Sequence, residues 1–288
     1  MKAGVFYGKE DLRIEERPVP KVGPGQMLVK IAYVGICGTD VEFYKTGMCP
    51  PFTKLPLILG HENCGVVCEV GEGVTKFKVG DRVLCGPPGH CAEDCTPCKE
   101  GKTNICLHGF PRTAGLGQYD GGYAPYLLIH DVAHTMIVPV PDDVDFKDAV
   151  LFDVICVSLH GIRSSNFKFG DNVVVSGTGP IGLAAIQILK AAGANKIIAL
   201  GTTSSKEPLI KSYGADYFIN SKECKDLAGE VKKIFGTEVG ADVVYECAGN
   251  MTSLANCVYS CVKPGGQVSV IGTIQEPMTA LIPGHFSI

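Results

Sequence analysis

From Asp171 onwards the chain alternates between short runs that are apolar at almost every position and longer stretches with helical spacing. The runs are Asn172-Val-Val-Val-Ser, Lys196-Ile-Ile-Ala-Leu, Tyr217-Phe-Ile, Asp242-Val-Val-Tyr-Glu and Gln267-Val-Ser-Val-Ile. Helices are expected between them, from Pro180, from about Lys206, from about Lys225 and from about Met251. A strand with one wet face alternates apolar and polar residues, so a strand that is apolar throughout must be covered on both faces. Helices joining such strands favour parallel pairing. No other feature of the 288 residues restricts the fold so tightly. The second half predicts an α/β, doubly wound parallel sheet.

The turn after the first of these strands reads Gly177-Thr178-Gly179-Pro180-Ile181-Gly182. A GxGxxG between an apolar strand and an apolar helix is a dinucleotide fingerprint. The glycines allow a tight turn and a close backbone approach, and the helix start offers unpaired N–H groups to a pyrophosphate. Binders of NAD usually place a carboxylate at the end of the next strand to hold the ribose hydroxyls. Here that strand runs into Gly201-Thr202-Thr203-Ser204-Ser205-Lys206, and no carboxylate appears before Glu207. A carboxylate would repel a 2′-phosphate, whereas hydroxyls and Lys206 would accept one. This predicts a preference for NADP(H). The alternative is an ordinary polar loop that binds NAD(H) without the usual acid.

The first half has a different grain. Short strands are expected at Met1 to Tyr7, Gln26 to Val34, Gly65 to Gly71 and Gly80 to Cys85, bounded by glycines and by the turn-rich Pro18 to Gly25. No long helical period precedes about residue 145. A helix is expected from Asp142 to about Ser165, capped by Asp142 or Asp143 and bridging two domains, 1–153 and 154–288.

Composition excludes several classes. With 45% hydrophobic and 19% charged residues the chain is a folded protein with a sizeable core. A net charge of −4 leaves no electrostatic footprint for nucleic acid and no polybasic membrane patch. The N-terminus lacks the apolar region of a secretory signal. The charge-free run from Asn172 to Leu189 contains Gly177, Gly179, Pro180 and Gly182, so it reads as strand, turn and helix and not as a membrane span. Fourteen cysteines without a secretory signal point to reduced thiols and metal ligands. A cytoplasmic protein is expected.

Two stretches carry metal-ligand chemistry. Cys37-Gly38-Thr39-Asp40 and Gly60-His61-Glu62 combine a thiol, an imidazole and carboxylates in glycine-punctuated segments, as a catalytic zinc site requires. Cys91, Cys95, Cys98 and Cys106 lie within sixteen residues, matching a closed four-cysteine structural zinc site. The Cys91–Cys95 spacing is one residue longer than expected, which leaves His90 as a substitute first ligand. A redox CxxC is the rival, but the Lys99 to Lys102 stretch does not head a helix of the required kind. The other cysteines lie mostly beside apolar residues and read as core filler.

Taken in order, these segments resemble the zinc-containing medium-chain alcohol dehydrogenases. The resemblance rests on Gly35-Ile-Cys-Gly-Thr-Asp40, Leu59-Gly-His-Glu62, Gly80-Asp-Arg-Val83, the cysteine cluster, Gly177 to Gly182, Gly214-Ala-Asp216 and Lys263-Pro-Gly-Gly266, and it covers essentially the whole chain. It implies a GroES-like, mainly β catalytic domain followed by a Rossmann domain, and reversible hydride transfer between an alcohol carbon and nicotinamide. It implies that Cys37 and His61 ligate a catalytic zinc, with Glu62 a ligand that exchanges with water. Asp153, in Leu151-Phe152-Asp153, falls where the family has its third protein ligand. Asp there, the Ala199 to Thr203 strand end and Tyr213 are similar to the bacterial NADP-dependent secondary alcohol dehydrogenases. Polyol and threonine dehydrogenases are also similar in pattern.

The resemblance further implies that Thr39 takes the substrate proton and Asp40 orients His61. Glu42 stands where many relatives complete the proton relay with a histidine. The chemistry expected is a Lewis acid that lowers the alcohol's pKa and hydride transfer to nicotinamide C4. Dimers or tetramers are expected, as in relatives, with a small alcohol or carbonyl compound as substrate. Family members run on for several dozen residues, so a C-terminal return to the catalytic domain is expected to be missing from this sequence. Pro283 to Ile288 reads as a strand just beginning. Two alternatives stay open: an NAD-dependent polyol or amino-acid dehydrogenase of the same family, and a truncated, catalytically silent protein that keeps zinc and nucleotide.

Overall fold

The structure is a computed structural model that describes residues 1–86, 89–91 and 95–274. Pro283 to Ile288, read as an incipient strand, lies outside the described residues. The chain packs as two compact units, Met1–Asp153 and Val154–Ile288.

The first unit contains strands β1 (Lys2–Gly8), β2 (Asp11–Glu16), β3 (Met27–Gly35), β4 (Leu57–Ile58), β5 (Glu62–Val70), β6 (Arg82–Gly86), β7 (Tyr126–Ile129) and β8 (Met136–Pro139). Five of them form an antiparallel sheet in the order β7-β3-β5-β6-β8, and β2-β1-β4 form a small second sheet. Alternate residues of the larger sheet build a core of Met27, Val29, Val67, Val83, Leu127 and Ile129. Period-two burial on one face is what antiparallel pairing with one solvated side produces. The pairing also sets up the chemistry. Gly35, the last residue of β3, lies opposite Glu62, the first of β5. Residues just beyond one strand therefore meet residues just before the other.

Helices in this unit are short: α1 (Gly38–Thr46), α2 (Thr96–Lys99) and α3 (Phe146–Ala149). α1 was not read from the sequence, which has no long helical period before about residue 145. Among its nine residues only Asp40 and Phe43 are buried, so it carries almost no apolar period to read. It stops at Gly47, whose φ of 72° lets the Gly47 N–H reach back to the Phe43 carbonyl at 2.8 Å. The single helix expected over 142–165 is also corrected. It is two helices, α3 and α4 (Phe152–Arg163), with a break at Val150–Leu151. The cap is neither Asp142 nor Asp143 but Asp145, whose Oδ1 accepts the Lys147 N–H at 2.9 Å. Three aspartates stand close together there, and only the geometry of the following turn decides which one caps.

The second unit contains β9 (Asn172–Ser176), α5 (Pro180–Ala191), β10 (Lys196–Gly201), α6 (Glu207–Ser212), β11 (Tyr217–Asn220), α7 (Leu227–Phe235), β12 (Ala241–Glu246), α8 (Met251–Asn256) and β13 (Val262–Val270). The strands are all parallel, in the order β11-β10-β9-β12-β13. Val173 and Val175 join a core with Ile186 and Leu189 of α5, while Val174 joins an opposite core with Val231 and Phe235 of α7. Both faces are thus covered, as the unbroken apolar runs require. One turn of 3-10 helix, Ser204–Lys206, precedes α6, so the helix expected from Lys206 starts one residue later. After β11 the chain returns to the far side of β9. The order reverses there, at the carboxyl ends of β9 and β12, where open α/β sheets bind ligands.

Candidate functional site

The β3–β5 pairing brings Cys37, His61 and Glu62 together. One ligand atom from each lies within 4.8 Å of the other two. His61 and Glu62 are 5% and 8% exposed, so this is a built interior site and not a surface coincidence. Two glycines make room for it. A Cβ at Gly35 would collide with Glu62 Oε2, so only glycine leaves space for that carboxylate. Gly60 has φ of +94°, and a Cβ there would stand 2.6 Å from the Tyr123 ring.

Asp40 contacts two of these three residues, Cys37 and His61. Its Oδ2 accepts the Cys37 backbone N–H at 3.0 Å and the Tyr123 hydroxyl at 3.0 Å. Its Oδ1 faces His61 Nδ1 at 3.6 Å, just beyond hydrogen-bond distance, and among the described residues neither atom has a hydrogen-bond partner. Asp40 is thus both the third residue of α1, closing the turn around Cys37, and the group that faces the imidazole. Burial opposes a charge on His61, but Asp40 and Cys37 outweigh it and push its pKa up to about 10. Burial, then the Asp153 carboxylate, raises Glu62, with His61 pulling the other way. Asp153 is itself raised by burial, against the pull of His61.

This donor set fits a divalent zinc. A thiol and carboxylates share a buried space in which, among the described residues, His61 is the positive group that offsets the carboxylates, and burial disfavours their charged forms. A divalent cation would remove that conflict, and sulfur, nitrogen and oxygen are zinc's ligand types. Asp153 is close enough to act on Glu62 but is not one of the three gathered ligands. Thr39 Oγ1 lies 3.7 Å from Cys37 Sγ, at the edge of the cluster. Glu42 is not brought in. Its carboxylate makes no hydrogen bond or ion pair to any described residue, and its backbone carbonyl accepts the Thr46 hydroxyl at 2.8 Å.

The second cluster, Cys91, Cys95, Cys98 and Cys106, also gathers within 4.8 Å. Cys91 Sγ lies 3.8 Å from Cys98 Sγ, and Cys95 Sγ lies 3.8 Å from Cys106 Sγ. Four sulfurs each about 2.3 Å from one zinc stand about 3.8 Å apart at the corners of a tetrahedron. These two opposite edges of the cluster match that length, and the remaining sulfur separations stay within 4.8 Å. His90 packs edge-on against His134, ring centroids 5.2 Å apart, and is not in the group. The Cys98 N–H, foremost among several donors, draws the Cys95 thiol down to about 6. Elsewhere burial does the opposite, and Cys85 is pushed up to about 12, chiefly by desolvation.

The dinucleotide turn is shaped by its glycines unequally. Gly177 has φ of +106°, and a Cβ there would meet the backbone of Ala248 at 2.6 Å. A Cβ at Gly182 would collide with the Gly177 carbonyl. Gly179, the residue before α5, has open space within 4 Å of where a Cβ would be. The outer glycines are required by the fold, while the middle one clears the approach to the helix start, where Pro180 and Ile181 open α5. At the end of β10, Gly201 packs against Thr178 and Phe218. Thr202, Thr203, Ser204 and Lys206 are exposed, and Lys206 makes no ion pair among the described residues. Ser204 Oγ is engaged by Asn220 Nδ2 at 2.7 Å and faces Glu223 at 3.4 Å. Tyr213 is exposed at the end of α6.

Sequence reasoning missed Tyr123. It belongs to no motif, and its link to Asp40 spans 83 residues. It follows Gly121-Gly122, both of which pack too closely to bear a side chain, and that pair was the only available signal.

Comparison with known proteins adds a family context. Residues 23–142 match the alcohol dehydrogenase GroES-like domain family, and residues 180–287 match the zinc-binding dehydrogenase family. The chain is 34% identical to sorbitol dehydrogenase of Bacillus subtilis (strain 168) over 275 residues, 94% of this chain and 75% of that protein. The crystal structure of 2R,3R-butanediol dehydrogenase from Bacillus subtilis superposes with a TM-score of 0.86 at 30% identity, covering 100% of this chain and 81% of that one. A zinc-binding dehydrogenase from Sinorhizobium meliloti 1021, solved bound to NADP, superposes with a TM-score of 0.87 at 28% identity, covering 99% and 80%.

Proposed function

The chain belongs to the zinc-containing medium-chain alcohol and polyol dehydrogenases, and from that premise we propose that it transfers a hydride between a secondary alcohol or polyol, or its carbonyl counterpart, and NADP(H). The observation that carries this reading is the gathering of Cys37, His61 and Glu62 within 4.8 Å in a chain that also has a GxGxxG turn.

Cys37, His61 and Glu62 would hold the catalytic zinc, with Asp153 beside them as a further carboxylate. Zinc supplies, when bound, a Lewis acid that lowers the pKa of an alcohol and polarises a carbonyl. Asp40 faces His61 Nδ1 and would favour a proton there, which would leave the Nε2 lone pair for the metal. Thr39 receives the substrate's hydroxyl proton, and its position beside Cys37 supports that role. Glu42 stands near in sequence as a later acceptor of the proton. Glycines 177, 179 and 182 and the start of α5 hold the pyrophosphate. Thr202, Thr203 and Lys206 hold the 2′-phosphate, with Tyr213 nearby. Cys91, Cys95, Cys98 and Cys106 hold the structural zinc.

The polyol class is supported by the sorbitol and butanediol dehydrogenases to which the chain is similar. A preference for NADP is supported by the missing carboxylate at Gly201 and by Lys206, which makes no ion pair among the described residues, together with the NADP-bound relative. A second reading, NAD, is favoured by one observation: Glu223 faces Ser204, and a carboxylate there disfavours a phosphate.

Purified zinc-loaded protein should oxidise members of a panel of secondary alcohols and polyols, followed by reduced-nicotinamide absorbance, with higher kcat/KM for NADP than for NAD. A reversed ratio selects the NAD reading. Full zinc content with no turnover of any panel member, in either direction, sinks the enzymatic reading.

A further inference from the structure

We infer that Tyr123 is a positioning residue for the zinc ligand His61, acting through Asp40. The inference rests on the metal reading of Cys37, His61 and Glu62 given above.

Asp40 is 3% exposed, and its carboxylate has to present one oxygen to His61 Nδ1. A carboxylate on a short side chain turns readily about its last torsion, which is broad and two-fold. What stops it here is that both firm hydrogen bonds fall on the same oxygen. The Cys37 N–H and the Tyr123 hydroxyl each donate to Oδ2 at 3.0 Å. Two donors on one oxygen fix the plane of the group, so Oδ1 is left aimed at His61. The Cys37 amide belongs to the turn that carries a proposed ligand. The tyrosine is the anchor that comes from outside it.

Tyr123 is placed for this by its backbone. Gly121, Gly122 and Tyr123 strap onto the segment that ends at His61, their N–H groups donating to Ile58, Gly60 and Leu59 at 2.7, 2.8 and 2.9 Å. The ring then lies against Gly60, where a Cβ would stand 2.6 and 2.8 Å from ring carbons. One residue therefore braces the chain that leads into His61 and holds the carboxylate facing the imidazole. A phenylalanine would fill the same space and brace the same backbone, but it would leave Asp40 with one anchor. The hydroxyl is thus assigned to orientation and the ring to packing, and the two can be separated experimentally.

The test is a double-mutant cycle read on zinc affinity. Wild-type protein, Tyr123→Phe, Asp40→Asn and the double variant are zinc-loaded and titrated with a chromogenic chelator. The relevant site is identified as the one lost in Cys37→Ser. Tyr123→Phe should weaken zinc binding there about tenfold, the low end for groups behind a ligand. It should leave the four-cysteine site unchanged and have no further effect once Asp40 is Asn. Unchanged affinity in Tyr123→Phe, or the same loss in both backgrounds, overturns the inference. Loss of the site's zinc from wild-type protein would instead refute the metal reading, so the two failures are distinguishable. If Tyr123→Phe does not fold, a crystal structure of the zinc-loaded wild-type chain decides. A Tyr123 Oη to Asp40 Oδ2 separation beyond about 3.5 Å overturns the inference, and a shorter one supports it.

Discussion

His61 presents Nδ1 to the Asp40 carboxylate at 3.6 Å, so the setting of the ring depends on a residue the sequence places 21 positions upstream. The same directness holds at the cofactor end, where one side chain separates two readings. Lys206 is exposed and makes no ion pair among the described residues, and Gly201 contributes no charge. Lys206→Ala should lower kcat/KM with NADP about tenfold, the loss of one charge-assisted contact, and leave the value with NAD unchanged. Equal changes with both cofactors would remove Lys206 from the 2′-phosphate contacts. Asp at Gly201 is a poorer probe, because its Cβ would stand 2.8 Å from both Thr178 and Phe218. Cys37, His61 and Glu62 were legible because their types and glycine punctuation are local. Tyr123 was not, because its hydroxyl bond to Asp40 spans 83 residues and its backbone is strapped to Ile58, Leu59 and Gly60, and neither leaves a local pattern. The engagement of Ser204 by Asn220 and Glu223 was hidden for the same reason.

At the scale of elements, the turn into α5 shows how a motif mixes folding and binding demands. Gly182→Ala forces a Cβ into the Gly177 carbonyl, so the turn must distort. It should lower the denaturant midpoint by the equivalent of about 1–3 kcal/mol, as overpacking does. Gly179→Ala meets open space and should cost only about 0.5 kcal/mol, the difference between glycine and alanine as a cap. Yet it should weaken NADP(H) binding, followed by quenching of protein fluorescence, because the methyl group occupies the approach to the helix start. Equal effects of the two variants on both stability and binding would contradict this division. The strands of the second unit were readable because they are apolar at every position. The helix over 142–165 was misread because its apolar residues continue across Val150 and Leu151, although the chain breaks there into α3 and α4. α1 was missed because it buries only Asp40 and Phe43. It is held by its caps and its place beside the site more than by an apolar face.

For the molecule as a whole, the parallel sheet of the second unit followed from local patterning, while the order β7-β3-β5-β6-β8 of the first depends on pairings between distant strands. The first unit's stability also carries a pH signature. Burial lowers the pKa of His130, against a smaller pull from Asp120, and its ring stacks on Tyr119 with centroids 4.0 Å apart. A histidine held neutral contributes stability above its unfolded value of 6.5 and loses it as pH falls through the folded value. That contribution is lost between about pH 7 and about pH 5, so over this window the denaturant midpoint of His130→Phe, which keeps the stack, should fall less, or rise more, than that of the wild type. An identical change would remove His130 from the account.

The central claim is that two separate clusters hold two zincs, and that the one at Cys37, His61 and Glu62 is the reactive one. The most direct measurement is zinc per chain, by elemental analysis, in wild-type protein and in a Cys37→Ala, His61→Ala variant, each assayed for hydride transfer. The account predicts two zincs in the wild type and one in the variant, with the four-cysteine site still filled and turnover abolished. An unchanged zinc content in the variant, or turnover that survives loss of one zinc, would contradict it.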